Sequence, residues 1–132
     1  MINIGPYKVK NFEKPFIVAE VGVNHNGNLK TALRMIDVAK KSGCHAVKFQ
    51  TFKAKEIVQD QSLKFTYFTQ GKKISESMYK MFKRYELKEK NWKIISNYCR
   101  KKKIIFFSTP QNISDLNILK KLNVPAIKVG SD

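Results

Sequence analysis

The sequence predicts an α/β protein whose parallel (β/α) units form the first half of a TIM (β/α)8 barrel. Four short apolar runs alternate with segments whose apolar residues recur at helical spacing, and this alternation is typical of a parallel sheet with helical crossovers. Polar side chains follow each run, where such folds carry their chemistry. The chain has 132 residues, whereas a complete barrel needs about 200 or more. We therefore expect residues 1–132 to be the N-terminal half of a truncated barrel domain.

The first third of the chain predicts a leader and one strand–helix unit. Residues 1–15 are polar and mixed, and we expect a short strand or hairpin there that plugs the N-terminal mouth of the barrel. The unbroken apolar run that begins at residue 16 predicts a strand over residues 16–21, buried on both faces. Asn28 is a good N-cap for a helix over residues 29–42, which Gly43 ends.

The remaining segments predict three further strands. Strands are expected over residues 46–50, 104–108 and 126–129, and helices over residues 75–85, 89–102 and 114–122. Residues 51–74 mix aromatics with lysines without a clear period, so we expect an irregular lid or binding loop there.

The composition restricts the class of protein. The hydrophobic fraction is 42%, as in globular domains, and no apolar run approaches the ~20 residues of a membrane span. Cys44 and Cys99 have no metal or redox spacing, and no signal peptide is recognisable, so we expect reduced thiols in a cytoplasmic protein.

The net charge of +16 raises the alternative of nucleic-acid binding. The lysines, however, are dispersed through nearly every segment, and the densest run, residues 100–103, lies at a predicted helix C-terminus, where cations stabilise the helix dipole. We expect a solvated basic surface that attracts small anionic substrates rather than nucleic acid. A salt-dependent shift with single-stranded DNA would test the alternative.

Polar side chains lie at or just beyond all four predicted strand ends, Thr51 and Ser108 among them, and a parallel sheet would bring them to one edge. The six candidate site residues in this set are Glu20, Lys48, Gln50, Thr109, Lys128 and Ser131. Two ammonium groups with hydroxyls suit a phosphate or carboxylate anion. A carboxylate beside them suits a general base or the holding of a substrate hydroxyl.

Several of these residues also have a structural interpretation. Thr109 with Pro110 could form only a turn that ends the strand. Glu20 is costly to bury unpaired, and it could simply pair with Lys48. A strand lysine could extend its ammonium group to the barrel mouth. His25 is as compatible with fixing its Gly/Asn-rich loop as with touching substrate, and His45 beside Gly43 fits a structural role.

Five linked motifs resemble the sialic acid synthases, including the legionaminate and pseudaminate synthases. They read, in order, AEVGVNHNG, AVKFQTF, KRYEL, IIFFSTP and VPAIKVGSD. The resemblance implies a C–C bond-forming transferase that condenses phosphoenolpyruvate with an N-acetylated amino sugar, N-acetylmannosamine or a related 6-deoxy sugar. The products would be a nine-carbon 2-keto acid and phosphate. It further implies a divalent metal, Mn or Mg, a C-terminal antifreeze-like domain and a homodimer for the full-length enzyme.

The resemblance also implies a role for each candidate residue. Glu20 matches the acidic residue that contacts the sugar and is the catalytic candidate, and Gln50 matches a residue on the sugar side. The other four match groups at the phosphoenolpyruvate carboxylate and phosphate: Lys48, Thr109, Lys128 and Ser131.

Three departures limit the resemblance. Residues 111–112 are Gln-Asn where many members have Phe after Ser-Thr-Pro, and residues 130–132 read Gly-Ser-Asp where many read Gly-Ser-Gly-Glu. The family's metal-ligand histidines lie beyond residue 132, so the chain itself is expected to hold no metal. We therefore expect the fragment to be inactive alone. The alternative is a non-catalytic half-barrel that assembles with a partner or a second copy.

Overall fold

The computed structural model describes residues 1–131, and Asp132 lies outside the described residues. The strands in this range are β1 (Ile2–Ile4), β2 (Tyr7–Val9), β3 (Val18–Gly22), β4 (Ala46–Thr51), β5 (Lys64–Thr69), β6 (Lys72–Ser77) and β7 (Ile105–Pro110). The helices are α1 (Leu29–Lys41), α2 (Ala54–Ile57), α3 (Met78–Tyr85), α4 (Glu89–Lys102) and α5 (Ile113–Lys121).

The central element is a three-stranded parallel sheet in the order β3-β4-β7. β4 is the middle strand, and its side chains alternate between two faces. Val47 and Phe49 are fully buried on one face, whereas Lys48 and Gln50 lie half-buried on the other. The parallel pairing and the helical crossovers confirm the predicted α/β class.

Helices α1, α4 and α5 pack on the face of the sheet that carries the apolar side chains. An aromatic cluster forms the centre of this core: the ring of Phe49 lies 5.9 Å from Trp92 and 5.8 Å from Phe106, centroid to centroid. Asn28 caps α1 as the sequence predicts, since its side chain accepts a hydrogen bond from the Thr31 amide at 3.0 Å. Lys48 and Gln50 of β4 therefore lie on the face opposite this core.

The antiparallel hairpin of β1 and β2 agrees with the expectation for residues 1–15. A Cβ added at Gly5 would lie 3.1 Å from Ile105 Cδ1, so the hairpin packs beside the first residue of β7. Tyr7 meets the His45 ring edge-on at 5.0 Å, and the Ile17 amide donates to His45 Nδ1 at 2.9 Å. These contacts place the hairpin at the amino-terminal end of the sheet and give His45 the structural role predicted for it.

The first predicted strand differs from the structure in its start and its burial. β3 begins at Val18 instead of residue 16, because Ile17 already bonds to His45 through both its amide and its carbonyl. β3 is also an outer strand of the described sheet, and Val18 and Glu20 are exposed. The strand buried on both faces is β7, in which residues 106–109 are all buried.

The prediction of an irregular loop over residues 51–74 was wrong. These residues form the short helix α2, strand β5 and the start of β6, and β5 and β6 pair as an antiparallel hairpin. Gln70 and Gly71 form the two-residue turn, with φ angles of 49° and 74°. A turn with two positive φ angles matches the twist of a hairpin. The Gln-Gly pair was therefore the signal that the sequence offered.

The prediction of a fourth strand over residues 126–129 was also wrong. Only Ile127 forms a parallel bridge, to Ser108, and the Lys128 amide donates to the Ser108 carbonyl at 3.2 Å. Pro125 precedes this segment and has no amide hydrogen to donate. Within residues 1–131 the segment meets β7 through this bridge and this hydrogen bond, which is too little pairing to form a strand.

Candidate active site at the carboxyl ends of the parallel strands

Glu20 and Lys48 form the centre of the candidate site. They lie directly opposite each other in the β3–β4 register, and their side chains form an ion pair on the face away from the helices. The Lys48 side chain is 17% exposed, whereas that of Glu20 is 49% exposed. The pairing that the sequence left open is therefore present, and it holds a largely buried ammonium group beside an accessible carboxylate.

Gln50 and Thr109 extend this site across the sheet. They lie opposite each other in the β4–β7 register, one step further along the same face as Lys48. Lys128 is half-buried, and its amide donates to the Ser108 carbonyl. Lys128 therefore continues the row beyond Thr109. Ser131 is exposed and lies outside any strand. The structure thus brings Glu20, Lys48, Gln50 and Thr109 together on one face and sets Lys128 at its border; it does not place Ser131 on that sheet face.

Gly22 is a site residue that sequence reasoning did not single out. Its φ angle is +51°, and the β3–β4 register shifts between Glu20 and Gly22. A Cβ at Gly22 would lie 3.0 Å from Glu20 Oε1 and 3.8 Å from Gln50 Nε2. The missing side chain therefore leaves room between the carboxylate and the amide. The glycine directly after an apolar strand was the available signal.

His25 fixes the loop after β3. The residue is 1% exposed, and its Nδ1 accepts a hydrogen bond from the Gly27 amide at 3.0 Å. Its ring stacks on Phe49 with 5.9 Å between centroids. Burial lowers the pKa of His25 to about 4, so the imidazole is neutral at physiological pH. Of the two interpretations left open by the sequence, the geometry favours the one in which His25 shapes the turn.

Two other hydroxyls near the strand ends face away from the site. Thr51 and Ser108 are fully buried on the helix-covered face, where their hydroxyl oxygens lie 2.8 Å apart in a hydrogen bond. Register explains this placement, because neighbouring residues of a strand point to opposite faces. The sheet edge therefore offers fewer hydroxyls to a substrate than the sequence alone allowed.

The described residues do not fit a divalent metal. Within residues 1–131 no three His, Cys, Asp or Glu side chains are grouped so that they could hold an ion. His25 and His45 each use Nδ1 to accept a backbone hydrogen bond. Cys99 is buried, and its burial raises the pKa of the thiol to about 12. No chemical step is therefore assigned to a metal held by these residues.

The helices described for residues 1–131 include none that is both long and apolar enough to cross a bilayer.

Polar and charged side chains at the carboxyl ends of a parallel α/β sheet lie where barrel folds carry their active sites. The chain belongs to the NeuB family, whose model matches residues 35–132. This finding confirms the resemblance to the sialic acid synthases and, with it, the TIM-barrel fold class.

The relatives carry names that agree with this family. The chain is 36% identical over 119 residues to N,N'-diacetyllegionaminic acid synthase of Campylobacter jejuni, covering 90% of this chain and 36% of that protein. It is 39% identical over 116 residues to the Legionella pneumophila synthase of the same name, covering 88% and 33%. The chain spans about a third of the length of these curated relatives.

A solved structure shows the same fold. The crystal structure of the N-acetylneuraminic acid synthetase from Leptospira borgpetersenii, in complex with citrate, superposes with a TM-score of 0.80 at 31% identity. The match covers 97% of this chain and 40% of that one. The described residues therefore correspond to part of a larger synthase fold.

Proposed function

We propose that this chain supplies part of the active site of a sialic acid-type synthase. The reaction would condense phosphoenolpyruvate with an N-acetylated amino sugar, such as N-acetylmannosamine or a related 6-deoxy sugar, into a nine-carbon 2-keto acid and release phosphate. The observation that carries the proposal is the row of Glu20, Lys48, Gln50 and Thr109 on one face of a parallel sheet in a NeuB-family chain.

The anion side of the proposed site consists of Lys48 and Lys128 with the Thr109 hydroxyl. Ser131 lies beyond the sheet face and is included on the resemblance alone. The ammonium group of Lys48 is largely shielded from water, which strengthens its attraction for a carboxylate or phosphate. In the free protein that ammonium group pairs with Glu20. An incoming phosphoenolpyruvate carboxylate would compete for Lys48. The phosphate group of phosphoenolpyruvate would be held by the lysines, whose charge would stabilise the negative charge that develops on that phosphate.

The sugar side of the proposed site consists of Glu20 and Gln50 on either side of Gly22. A substrate anion that engages Lys48 would release the Glu20 carboxylate, which is half-exposed and able to accept a proton from a sugar hydroxyl. The Gln50 amide offers both donors and an acceptor, which suits hydroxyl and N-acetyl groups. The gap left by Gly22 gives a polyhydroxy chain access to both.

The divalent metal implied by the resemblance remains a proposal for the whole enzyme. Bound Mn or Mg would polarise the sugar carbonyl, but the described residues offer no ligand set for it. Phosphoenolpyruvate, Mn²⁺ and N-acetylmannosamine added to residues 1–132 alone are therefore expected to give no keto acid. A homodimeric full-length enzyme stays a prediction.

The test is a titration of the protein with phosphoenolpyruvate, followed residue by residue by NMR. We expect shifts at the carboxyl ends of β3, β4 and β7, and we expect Lys48→Met to abolish them. Lys93→Met removes an exposed lysine on α4 and is the matched control, which should titrate like the unmodified protein. Equal titration by Lys48→Met, or shifts elsewhere on the surface, would contradict the anion site.

A second candidate is a non-catalytic half-barrel that assembles with a partner or a second copy. It is favoured by the outer strand β3, whose first residue Val18 is 36% exposed and is preceded by Ile17, which is 48% exposed. An outer strand with free backbone groups is a template for pairing with another chain. Self-association of the purified protein is its expected signature.

A further inference from the structure

The carboxyl-terminal turn of α3 contacts two segments that are far apart in the sequence. One is the β5–β6 hairpin, which the side chain of Arg84 reaches. The other is the loop over residues 22–28, which meets the Arg84 carbonyl. A single residue therefore connects two separate pieces of the molecule.

The contact with the hairpin is a two-pronged ion pair. Arg84 Nη1 and Nη2 donate to the two carboxylate oxygens of Glu76 at 2.9 and 2.8 Å, and the Tyr67 hydroxyl donates to the same carboxylate at 2.9 Å. Arg84 lowers the pKa of Glu76, so the carboxylate stays charged at neutral pH. Because Tyr67 is on β5 and Glu76 on β6, the pair holds both strands of the hairpin. A bidentate pair of this geometry is more specific than an isolated surface salt bridge.

The contact with the loop is between backbones. Gly27 has a φ angle of +69°, and a Cβ built on it would lie only 2.2 Å from the Arg84 carbonyl oxygen. The Gly27 amide donates to the buried His25 ring, which stacks on Phe49 in the central strand. The loop is therefore clamped between Arg84 on one side and the core on the other.

Both contacted segments lie at the same edge of the sheet. The loop follows the carboxyl end of β3, and the hairpin is inserted after the carboxyl end of β4. We propose that Arg84 is a positioning residue that couples the β5–β6 hairpin to the loop after β3, so that these two borders of the site are held as one unit. Only the statement that they border a substrate site rests on the proposed function, because the coupling can be measured without substrate.

The test is amide hydrogen exchange of the whole protein, measured by mass spectrometry. We expect Arg84→Ala to accelerate exchange about fivefold or more in both the hairpin over residues 64–77 and the loop over residues 22–28. Arg100→Ala is the matched control, since it removes an arginine that bonds to Ser96 within α4. Arg84→Lys should resemble Arg84→Ala at the hairpin, because lysine cannot bond bidentately.

Coupling must also work in the opposite direction. Gly27→Ala displaces the Arg84 carbonyl and should accelerate exchange in the hairpin, although Gly27 is far from the hairpin in the sequence. Tyr67→Phe removes one hydrogen bond without a change in charge and with little change in volume, and it should give a smaller effect of the same pattern in both segments. The paired exchange Glu76→Arg with Arg84→Glu should restore protection of the loop.

Two results would overturn the coupling. One is faster exchange in the hairpin alone after Arg84→Ala. The other is faster exchange in the loop alone after Gly27→Ala. Failure to bind phosphoenolpyruvate would count against the proposed function and leave these exchange rates unaffected, so the two ideas fail independently.

Discussion

At the scale of single residues, two buried titratable groups, His25 and Asp115, have opposite effects on how stability depends on pH. Burial lowers the pKa of His25 from 6.5 to about 4. Burial, with the nearby charge of Glu56, raises the pKa of Asp115 from 3.8 to about 6. Asp115 is fully buried and accepts a hydrogen bond from the Asn112 amide at 3.1 Å, so it caps the start of α5. The Asn-x-x-Asp spacing was the signal for this cap.

The signs of the two shifts differ. The folded protein binds fewer protons at His25 than the unfolded chain does, so this contribution is complete above pH 6.5 and is lost as the pH falls towards 4. The folded protein binds more protons at Asp115, so that contribution is complete below pH 3.8 and is lost as the pH rises through 6. Each group changes the free energy of unfolding by an amount on the order of 3 kcal/mol. Between about pH 4 and pH 6 the two changes largely cancel.

Replacing either group should therefore reveal the other. We expect His25→Gln to give a protein whose stability falls more steeply, or rises less, between pH 4 and 6 than that of the unmodified protein, because the effect of Asp115 is then no longer opposed by His25. We expect Asp115→Asn, which keeps an acceptor for the cap, to give one whose stability rises from pH 4 to 6.5. Urea unfolding midpoints at several pH values measure both, and parallel profiles in all three proteins would contradict the assignment.

At the scale of elements, the turns between strands and helices depend on close backbone contacts. Gly27 and Gly43 have similar φ angles, +69° and +79°, yet a Cβ at Gly43 would meet nothing within 4 Å, whereas one at Gly27 would meet the Arg84 carbonyl. A side chain at either position would therefore have the same unfavourable positive φ angle. Of the two, only a side chain at Gly27 would also clash with a neighbouring backbone atom.

We expect Gly43→Ala to lower the free energy of unfolding by about 1 kcal/mol, the cost of a side chain at positive φ. Gly27→Ala should cost about 1–3 kcal/mol more, because backbone must move to admit the methyl group. Chemical denaturation of the two variants gives the difference directly. Equal losses of unfolding free energy in the two variants would show that the loop after β3 can move away from α3 at no cost.

The elements themselves were predictable to different degrees. The helices α1 and α4 follow from local periodicity and caps, and the sequence places them within a residue of their observed ends. The β5–β6 hairpin was missed because its apolar and polar residues do not alternate strictly, and most residues of β5 are exposed on both faces. Residues 126–129 look like a strand locally, but a strand needs neighbours, which local sequence does not reveal.

At the scale of the whole molecule, charge opposes self-association. The chain carries +16 net charge, which opposes association even though apolar side chains such as Ile17, Val18 and Ile127 are exposed. Two copies would repel each other over a screening length of about 10 Å at 0.1 M salt, which falls to about 3 Å at 1 M.

We therefore expect the purified protein to be a monomer at 0.1 M NaCl and to self-associate, if at all, only as salt rises towards 1 M. Size-exclusion chromatography with light scattering at both salt concentrations measures this. A dimer that persists at low salt would favour the assembling half-barrel over a site that serves phosphoenolpyruvate in a larger synthase.

The sequence by itself determined the class of this protein. The alternation of apolar runs with helical periods predicts a parallel sheet, and period-two alternation then puts Lys48 and Gln50 on one face without further information. The tertiary structure decided which neighbours these residues meet. It paired Lys48 with Glu20, turned Ser108 to the helices, and buried His25 against Phe49. The reason is that register and burial depend on contacts between residues distant in sequence, whereas propensity and periodicity are local.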